Sequence, residues 1–63
     1  MKVIYRGRHC VGLFGRTVVR MKDGQLAFRH RFSSEREAQN SYDQHAKVVE
    51  YAFRKETSSE STL

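Results

Sequence analysis

The sequence predicts an α+β fold in which a three-stranded antiparallel sheet packs against one C-terminal helix, in the order β-β-β-α. The chain before residue 33 is rich in β-branched and aromatic residues that alternate with polar ones, which is typical of strands. After residue 34 the apolar positions recur every three or four residues, which is typical of a helix. A chain of 63 residues has room for one core. We therefore expect a single domain over residues 1–55 and a disordered tail, poor in apolar residues, over residues 56–63.

The first predicted strand is long and includes two apolar-rich segments, residues 3–5 and His9–Phe14. Gly7 lies between them, and an isolated Gly in a strand pattern indicates a kink or a β-bulge. We therefore expect one continuous strand that bends at Gly7.

The second and third predicted strands, Thr17–Lys22 and residues 26–32, are separated by Asp23-Gly24, the strongest short signal for a hairpin. Side chains alternate along a strand, so the leucine and phenylalanine side chains of the third strand are expected to face the core. The basic residues of the hairpin are then expected to share its solvent face. They are Arg20, Lys22, Arg29 and Arg31.

A helix is predicted to begin after Ser34, since Ser34 and Glu37 match the capping box, in which each side chain binds the other residue's backbone N–H. An apolar stripe along this helix is expected to lie across the sheet. Its positions are Ala38, Tyr42, His45, Ala46, Val49, Ala52 and Phe53. We expect His30 of the third strand to meet His45 in the core, each satisfied by a hydrogen bond.

Positive charge is concentrated in the first half of the chain, although the net charge of the whole chain is +5. The first 32 residues contain eight Lys or Arg and a single acid, Asp23, whereas the remaining residues contain four Lys or Arg and six Asp or Glu. An ordinary solvated sheet face mixes both signs of charge, and such a face is the alternative here. A face with one sign of charge favours an acidic partner.

The basic residues of the first half are the candidate nucleic-acid contacts. They are Arg6, Arg8, Arg16, Arg20, Lys22, Arg29 and Arg31. Arg20, Arg29 and Arg31 are expected to read base edges, since Arg pairs bidentately with guanine in a major groove that admits a β-ribbon. Arg8, Arg16 and Lys22 lie nearer the strand ends and turns and are expected to hold phosphates. Tyr5, next to Arg6, is expected either to stack on a base or to pack against the helix. Duplex DNA is the expected partner.

Residues 31–46 follow a pattern in which Phe ends a strand, Ser starts a helix, and Glu-Ala and Tyr-Asp follow at fixed positions. The positions that fit are Phe32, Ser34, Glu37, Ala38, Tyr42, Asp43 and Ala46, with Ser41 where Ala is usual. Residues 5–7 (Tyr-Arg-Gly) fit the opening of the pattern, and residues 14–16 (Phe-Gly-Arg) fit its approach to the second strand. Over residues 5–53 the chain resembles the plant ethylene-response-factor type of DNA-binding domain, which is also found in phage-borne endonucleases.

The resemblance implies a three-stranded sheet that lies in the DNA major groove and contacts bases through Arg and Trp. The arm-binding domains of phage tyrosine recombinases share this shape. By approximate position, the resemblance implies base contacts at Arg20 and Arg29. The chain has no Trp, so the Trp contacts have no counterpart. The expected function is that of a small phage-like DNA-binding regulator or recombination accessory factor.

Two other partners fit the same basic sheet. A small phage- or plasmid-type protein can dock such a surface on an acidic host protein. A helix packed on a three-stranded sheet is also similar to double-stranded RNA-binding domains, although the N-terminal helix of that family is missing here. Both alternatives stay open at the level of the sequence.

The sequence offers little for chemistry other than binding. His9 and Cys10 point to opposite faces of a strand, and no Cys-x-x-Cys or His-x-x-x-His spacing is present, so we expect no metal site. Neither an oriented Cys-His pair nor a P-loop is found, so we expect no catalytic residues, no cofactor and no enzymatic activity. With one Cys, no apolar leader after Met1 and no membrane-length apolar stretch, a cytoplasmic protein is expected.

Overall fold

The computed structural model describes the backbone of residues 1–61 and the side chains of residues 1–56. Four antiparallel strands form a sheet in the order in which they occur along the chain, and one helix packs against one side of it. The elements are β1 (Lys2–Arg6), β2 (His9–Phe14), β3 (Thr17–Lys22), β4 (Gln25–Arg31) and α1 (Glu35–Ser61). The α+β class with a C-terminal helix is confirmed, and the sheet has one strand more than the sequence predicts.

The turn between β1 and β2 shows that the prediction of a single first strand is wrong. Arg6 pairs with His9, so Gly7 and Arg8 form a two-residue turn at which the chain reverses. Gly7 has a φ of 59°, and a type II′ turn needs a positive φ at this first central position. The turn after β2 has the same form, with a φ of 63° at Gly15. A Gly that was expected to bend one strand therefore joins two strands.

The predicted hairpin between β3 and β4 is confirmed, and it contains a bulge that was not predicted. Met21 pairs with Leu26, whereas Arg20 pairs with Phe28. Ala27 is therefore an extra residue in β4. Because of it, each side chain of β4 after Ala27 points to the face opposite to the one that regular alternation from the turn would give.

The strand register separates two faces of the sheet. Val11 pairs with Arg20, and Leu13 pairs with Val18, on the side that α1 covers. The opposite side, called the open face, is formed by Val3, Tyr5, Cys10, Gly12, Phe14, Thr17, Val19, Met21, Leu26, Arg29 and Arg31.

The prediction that four basic residues of the second hairpin share one solvent face is wrong. Arg29 and Arg31 lie on the open face, whereas Arg20 and Lys22 lie on the helix side. Without the extra residue in β4, regular alternation from the turn would have placed all four on one face. Leu26 precedes the bulge and pairs with Met21 on the open face, where it is 59% exposed and not in the core as we expected.

The core lies between α1 and the inner sides of β1, β2 and β3. Its buried side chains are Val11, Leu13 and Val18 of the sheet and Ala38, Tyr42 and Val49 of the helix. The predicted apolar stripe is thus confirmed at these helix positions. Ser34 caps the helix as predicted, since its Oγ accepts a hydrogen bond from the Glu37 N–H at 3.2 Å. The Glu37 carboxylate accepts a hydrogen bond from Ser33 Oγ at 3.0 Å.

The helix continues beyond residue 55, where we expected the domain to end, and extends through Ser61. Residues 62 and 63 of the predicted tail lie outside the described residues. Within the described backbone, α1 lacks the apolar length that a membrane-spanning helix requires.

Candidate nucleic-acid interface

Arg29 and Arg31 extend from the edge strand β4 on the open face, and both are exposed. The guanidinium group of neither residue makes a hydrogen bond or an ion pair with any of the described residues. None of the four strands contains Asp or Glu, so no carboxylate of the strands faces them. Their charge is available to an anion that approaches the open face.

Arg16, in the turn between β2 and β3, adds a third exposed guanidinium at the same end of the sheet. Its Nη1 donates a hydrogen bond to the Ser33 carbonyl at 3.1 Å, and its own carbonyl accepts one from the Phe32 N–H at 2.8 Å. These bonds tie the turn to the chain that leaves β4, next to Arg31. Arg16, Arg29 and Arg31 are called the basic corner below.

The predicted contacts of the first hairpin are already paired. Arg8 lies in the turn after β1, with its Nε 3.3 Å from Asp23 Oδ1 and both side chains about half exposed. An exposed ion pair of this kind contributes little to stability, so Arg8 can exchange Asp23 for another anion. Arg6 donates from Nε to the carboxylate of Glu50 on α1. Arg6 therefore belongs to the helix side and not to the open face.

Arg20 and Lys22, two further predicted contacts, face α1. Arg20 is half-buried along a hollow of about 190 Å³ between α1 and β3. The ring of His45 lies nearby and stacks on Phe28, with ring centroids 4.3 Å apart. Burial and, secondly, the charge of Arg20 lower the pKa of His45 below its ordinary value of 6.5. Arg20 therefore acts on the interior of the domain and not on a ligand at the open face.

The prediction that His30 and His45 meet in the core is wrong. His30 is exposed, and its ring meets Phe32 edge-on, with centroids 4.5 Å apart. The Nδ1 atom of His45 is buried and has no hydrogen-bond partner among the described residues. The two rings are separated because α1 packs mainly over β1, β2 and β3, which leaves His30 at the uncovered end of β4.

The remaining part of the open face is mostly apolar and aromatic. The residues of the whole open face form three rows across the sheet. The rows are Phe14, Thr17 and Arg31, then Val3, Gly12, Val19 and Arg29, then Tyr5, Cys10, Met21 and Leu26. Tyr5 is 71% exposed and Phe14 is 45% exposed. The face thus presents aromatic rings on β1 and β2 and guanidinium groups on β4. Continuous exposed apolar area of this kind usually marks an interaction site.

The ring of Phe14 lies over Gly12. A Cβ atom added at Gly12 would be only 2.6 Å from Phe14 Cε2 and 3.0 Å from its Cζ, so the ring fills the space of a side chain. The same Cβ would be 3.5 Å from Val3 Cγ2. Gly12 therefore allows an aromatic ring to rest directly on the backbone of a central strand.

A hollow of about 310 Å³ adjoins Tyr5 at the other end of the open face. Cys10 and Met21 form part of its lining, together with the ion pair of Arg8 and Asp23. This volume is at the lower limit of small-ligand sites, which measure about 300–1,000 Å³.

Phe14 and Met21 were not among the predicted contacts, and for Tyr5 the sequence left open whether it stacks on a base or packs against the helix. The sequence carried one signal for Phe14, since Gly12 and Phe14 are two residues apart and share a face of any strand. Which face is exposed depends on the hairpin at Gly7 and on the side against which α1 packs, and neither was evident from the sequence.

Comparisons with known proteins returned no match: no family model, no curated protein and no solved structure matches the chain. The resemblance to the ethylene-response-factor type of domain therefore stays a prediction. The fourth strand departs from the three-stranded sheet that this resemblance implies. Among the described residues, no group of His, Cys, Asp and Glu side chains is arranged to hold a metal ion.

Proposed function

We propose that this chain is a nucleic-acid-binding module that binds through the open face of its sheet. The observation that supports the proposal most directly is the basic corner, because no strand contributes a carboxylate beside it. Basic groups along a sheet displace the counterions that surround phosphates, which gives affinity for any nucleic acid. No catalytic step is part of the proposal.

The mixture of aromatic rings and unpaired positive charge on one face supports a nucleic acid over a second copy of the chain. Two copies packed face to face would bring like charges into an interface without an opposing acid, and this opposes association. A nucleic acid offers phosphates to Arg29 and Arg31 and offers bases to Tyr5 and Phe14.

The structure gives less support to binding in the major groove of duplex DNA than the sequence does. Arg20, one of the three predicted base readers, faces α1, whereas Arg29 and Arg31 face solvent. A regulatory or recombination accessory role and a cytoplasmic location are part of the proposal, and both are supported by the sequence alone.

An acidic protein is a second candidate partner. Exposed Tyr, Phe, Met and Arg side chains are the types that are enriched in protein interfaces, and the open face contains all four. A chain dedicated to such a partner would leave nucleic acids unbound at physiological salt.

Replacing Arg29 and Arg31 together by Ala tests the proposal. The loss of two phosphate contacts is expected to weaken binding of labelled oligonucleotides and to reduce the slope of log affinity against log salt by about 2. Fluorescence anisotropy titrations between roughly 50 and 200 mM salt measure both quantities.

Arg36 and Lys47 provide the matched control, since both are exposed on α1, away from the open face. Arg36→Ala combined with Lys47→Ala removes the same charge and is expected to leave affinity and slope nearly unchanged. Equal losses in the two double variants would mean that net charge alone determines binding. A chain that binds no nucleic acid at low salt would overturn the proposal.

A further inference from the structure

We infer that Phe14 and Tyr5 are stacking platforms for unpaired bases, which makes single-stranded nucleic acid the preferred ligand of the open face. The inference rests on the proposed function and specifies the form of the nucleic acid. Two independent features carry it, namely the placement of the two rings and the width of the sheet.

The Phe14 ring is held in place before any ligand arrives. It rests over Gly12 and still exposes 45% of its surface. A ring that is already positioned loses little conformational freedom when a base stacks on it. Every base has a π-face, so such a platform binds unpaired bases with little sequence preference.

Tyr5 provides a second platform on the neighbouring strand. It is 71% exposed, and it borders the hollow of about 310 Å³ whose wall includes Met21. A polarizable Met side chain makes favourable contacts with aromatic rings. Arg8 and its ion-pair partner Asp23 both line the hollow. Because an exposed ion pair of this kind is weak, Arg8 can exchange Asp23 for the phosphate of a nucleotide whose base lies on Tyr5.

The spacing of the two platforms requires bases that are not stacked on one another. Gly12, which lies under the Phe14 ring, pairs with Val3, so Tyr5 is its diagonal neighbour. Diagonal neighbours in an antiparallel pair are about 7–8 Å apart. Successive bases in one strand of a duplex are only about 3.4 Å apart. Bases that occupy both rings must therefore be splayed, as in unpaired strands.

The width of the sheet disfavours a duplex. Neighbouring strands lie about 4.8 Å apart, so the axes of β1 and β4 are about 14 Å apart. The major groove is about 12 Å wide, so the open face does not fit flat into it. A three-stranded sheet of about 10 Å would fit. The fourth strand thus favours a single strand that crosses the face, with its phosphates near Arg29 and Arg31.

A mixed-sequence DNA oligonucleotide of about 12 nucleotides, used alone or annealed to its complement, tests the inference. At equal salt we expect the single strand to bind more tightly than the duplex. Phe14→Leu and Tyr5→Leu keep an apolar side chain but remove the π-face, so each is expected to weaken single-strand binding by about 5- to 100-fold. Stacking on Tyr5 is also expected to quench tyrosine fluorescence.

Tyr51 is the matched control, since it is 69% exposed on α1, close to the 71% exposure of Tyr5. Tyr51→Leu is expected to leave both affinity and quenching by the oligonucleotide unchanged, and amide NMR spectra verify that each variant is folded. If the duplex binds as tightly as the single strand and Phe14→Leu has no effect, the inference is overturned while the proposed function stands. If neither form binds to the unaltered chain, both fail.

Discussion

Apolar and charged side chains have opposite environments on the two faces of the sheet. On the helix side Val18 is fully buried, and Arg6 and His9 are paired with Glu50 and Glu56 of α1. On the open face aromatic rings are exposed, and two guanidinium groups have no partner among the described residues. The helix therefore supplies one face with both apolar contacts and counter-charges, and it supplies the other face with neither.

This difference shows how a small domain can place the residues that stabilise it on one face and the residues that bind a partner on the other. A chain of 63 residues buries a limited core, and here that core lies on one side of the sheet. Residues on the other side contribute little to the core, so their identity is free to serve a partner. Substitutions on the two faces are therefore expected to divide into effects on stability and effects on binding.

The largest expected effect comes from two neighbouring valines of β3 that point to opposite faces. Val18 is fully buried against α1, and Val19 is half-buried on the open face. Val18→Ala removes buried methyl groups and leaves a cavity, so we expect it to lower the free energy of unfolding by about 2–3 kcal/mol. Val19→Ala loses the same strand propensity without a buried cavity, so we expect less than about 1 kcal/mol. Urea denaturation measures both changes.

Equal losses in the two valine variants would contradict the comparison, because they would mean that the open face is covered as tightly as the helix side. A second copy of the chain is the simplest cover. Its presence would make the stability depend on protein concentration.

Parts of the fold were predictable because their signals are local. Asp23-Gly24 sets a hairpin within four residues, and Ser34 with Glu37 starts a helix within one turn. The fourth strand was missed because Gly7 between two apolar segments fits a bulge and a type II′ turn equally well. Long-range pairing decides between these two structures, and a sequence does not display it.

The candidate site was predictable only in part, because one residue determines which basic side chains lie on the same face of the sheet. The three arginines of the basic corner were all among the predicted contacts. Ala27, the extra residue of the bulge, places Arg29 and Arg31 on the face opposite to Arg20 and Lys22, and nothing in the surrounding sequence marks that position. Phe14 was missed, and the role of Tyr5 was left open, because the exposure of a whole face depends on where the helix packs.

A smaller effect is expected from pH, through His45 on the helix side. Burial and the neighbouring Arg20 charge lower the pKa of this side chain in the folded chain below 6.5, its ordinary value. The unfolded chain therefore binds more protons below about pH 6.5, so stability that is present above this pH is lost as the pH falls toward the folded pKa. We expect His45→Leu to reduce this loss, measured as the shift of the urea midpoint between about pH 7.5 and pH 5.

His30 serves as the control for removing an imidazole, since it is exposed on β4. We expect the urea midpoint of His30→Leu to fall between these two pH values by as much as that of the unaltered chain. A His45→Leu variant that loses stability just as steeply would assign the acid sensitivity to another group.

The smallest expected effect on stability comes from Gly12→Ala on the open face. The φ of Gly12 is not positive, so Ala is allowed there, and Ala in a strand is favoured over Gly by about 0.5–1 kcal/mol. The new Cβ would lie 2.6 Å from Phe14 Cε2, so the ring has to swing toward solvent, to which it is already 45% exposed. Because the gain and the lost contact offset each other, the free energy of unfolding is expected to change by less than about 1 kcal/mol.

Gly12→Ala also tests the contribution of the Phe14 ring to binding without changing the arginines of the basic corner. Displacing the Phe14 ring removes a prepared platform while the basic corner stays in place, so single-strand affinity is expected to fall. The slope of log affinity against log salt is expected to stay the same, because the same phosphates are neutralised. Anisotropy titrations at several salt concentrations measure both. Full affinity in Gly12→Ala would show that a base does not need the ring on Gly12, whereas a smaller slope would show that the arginines moved with the ring.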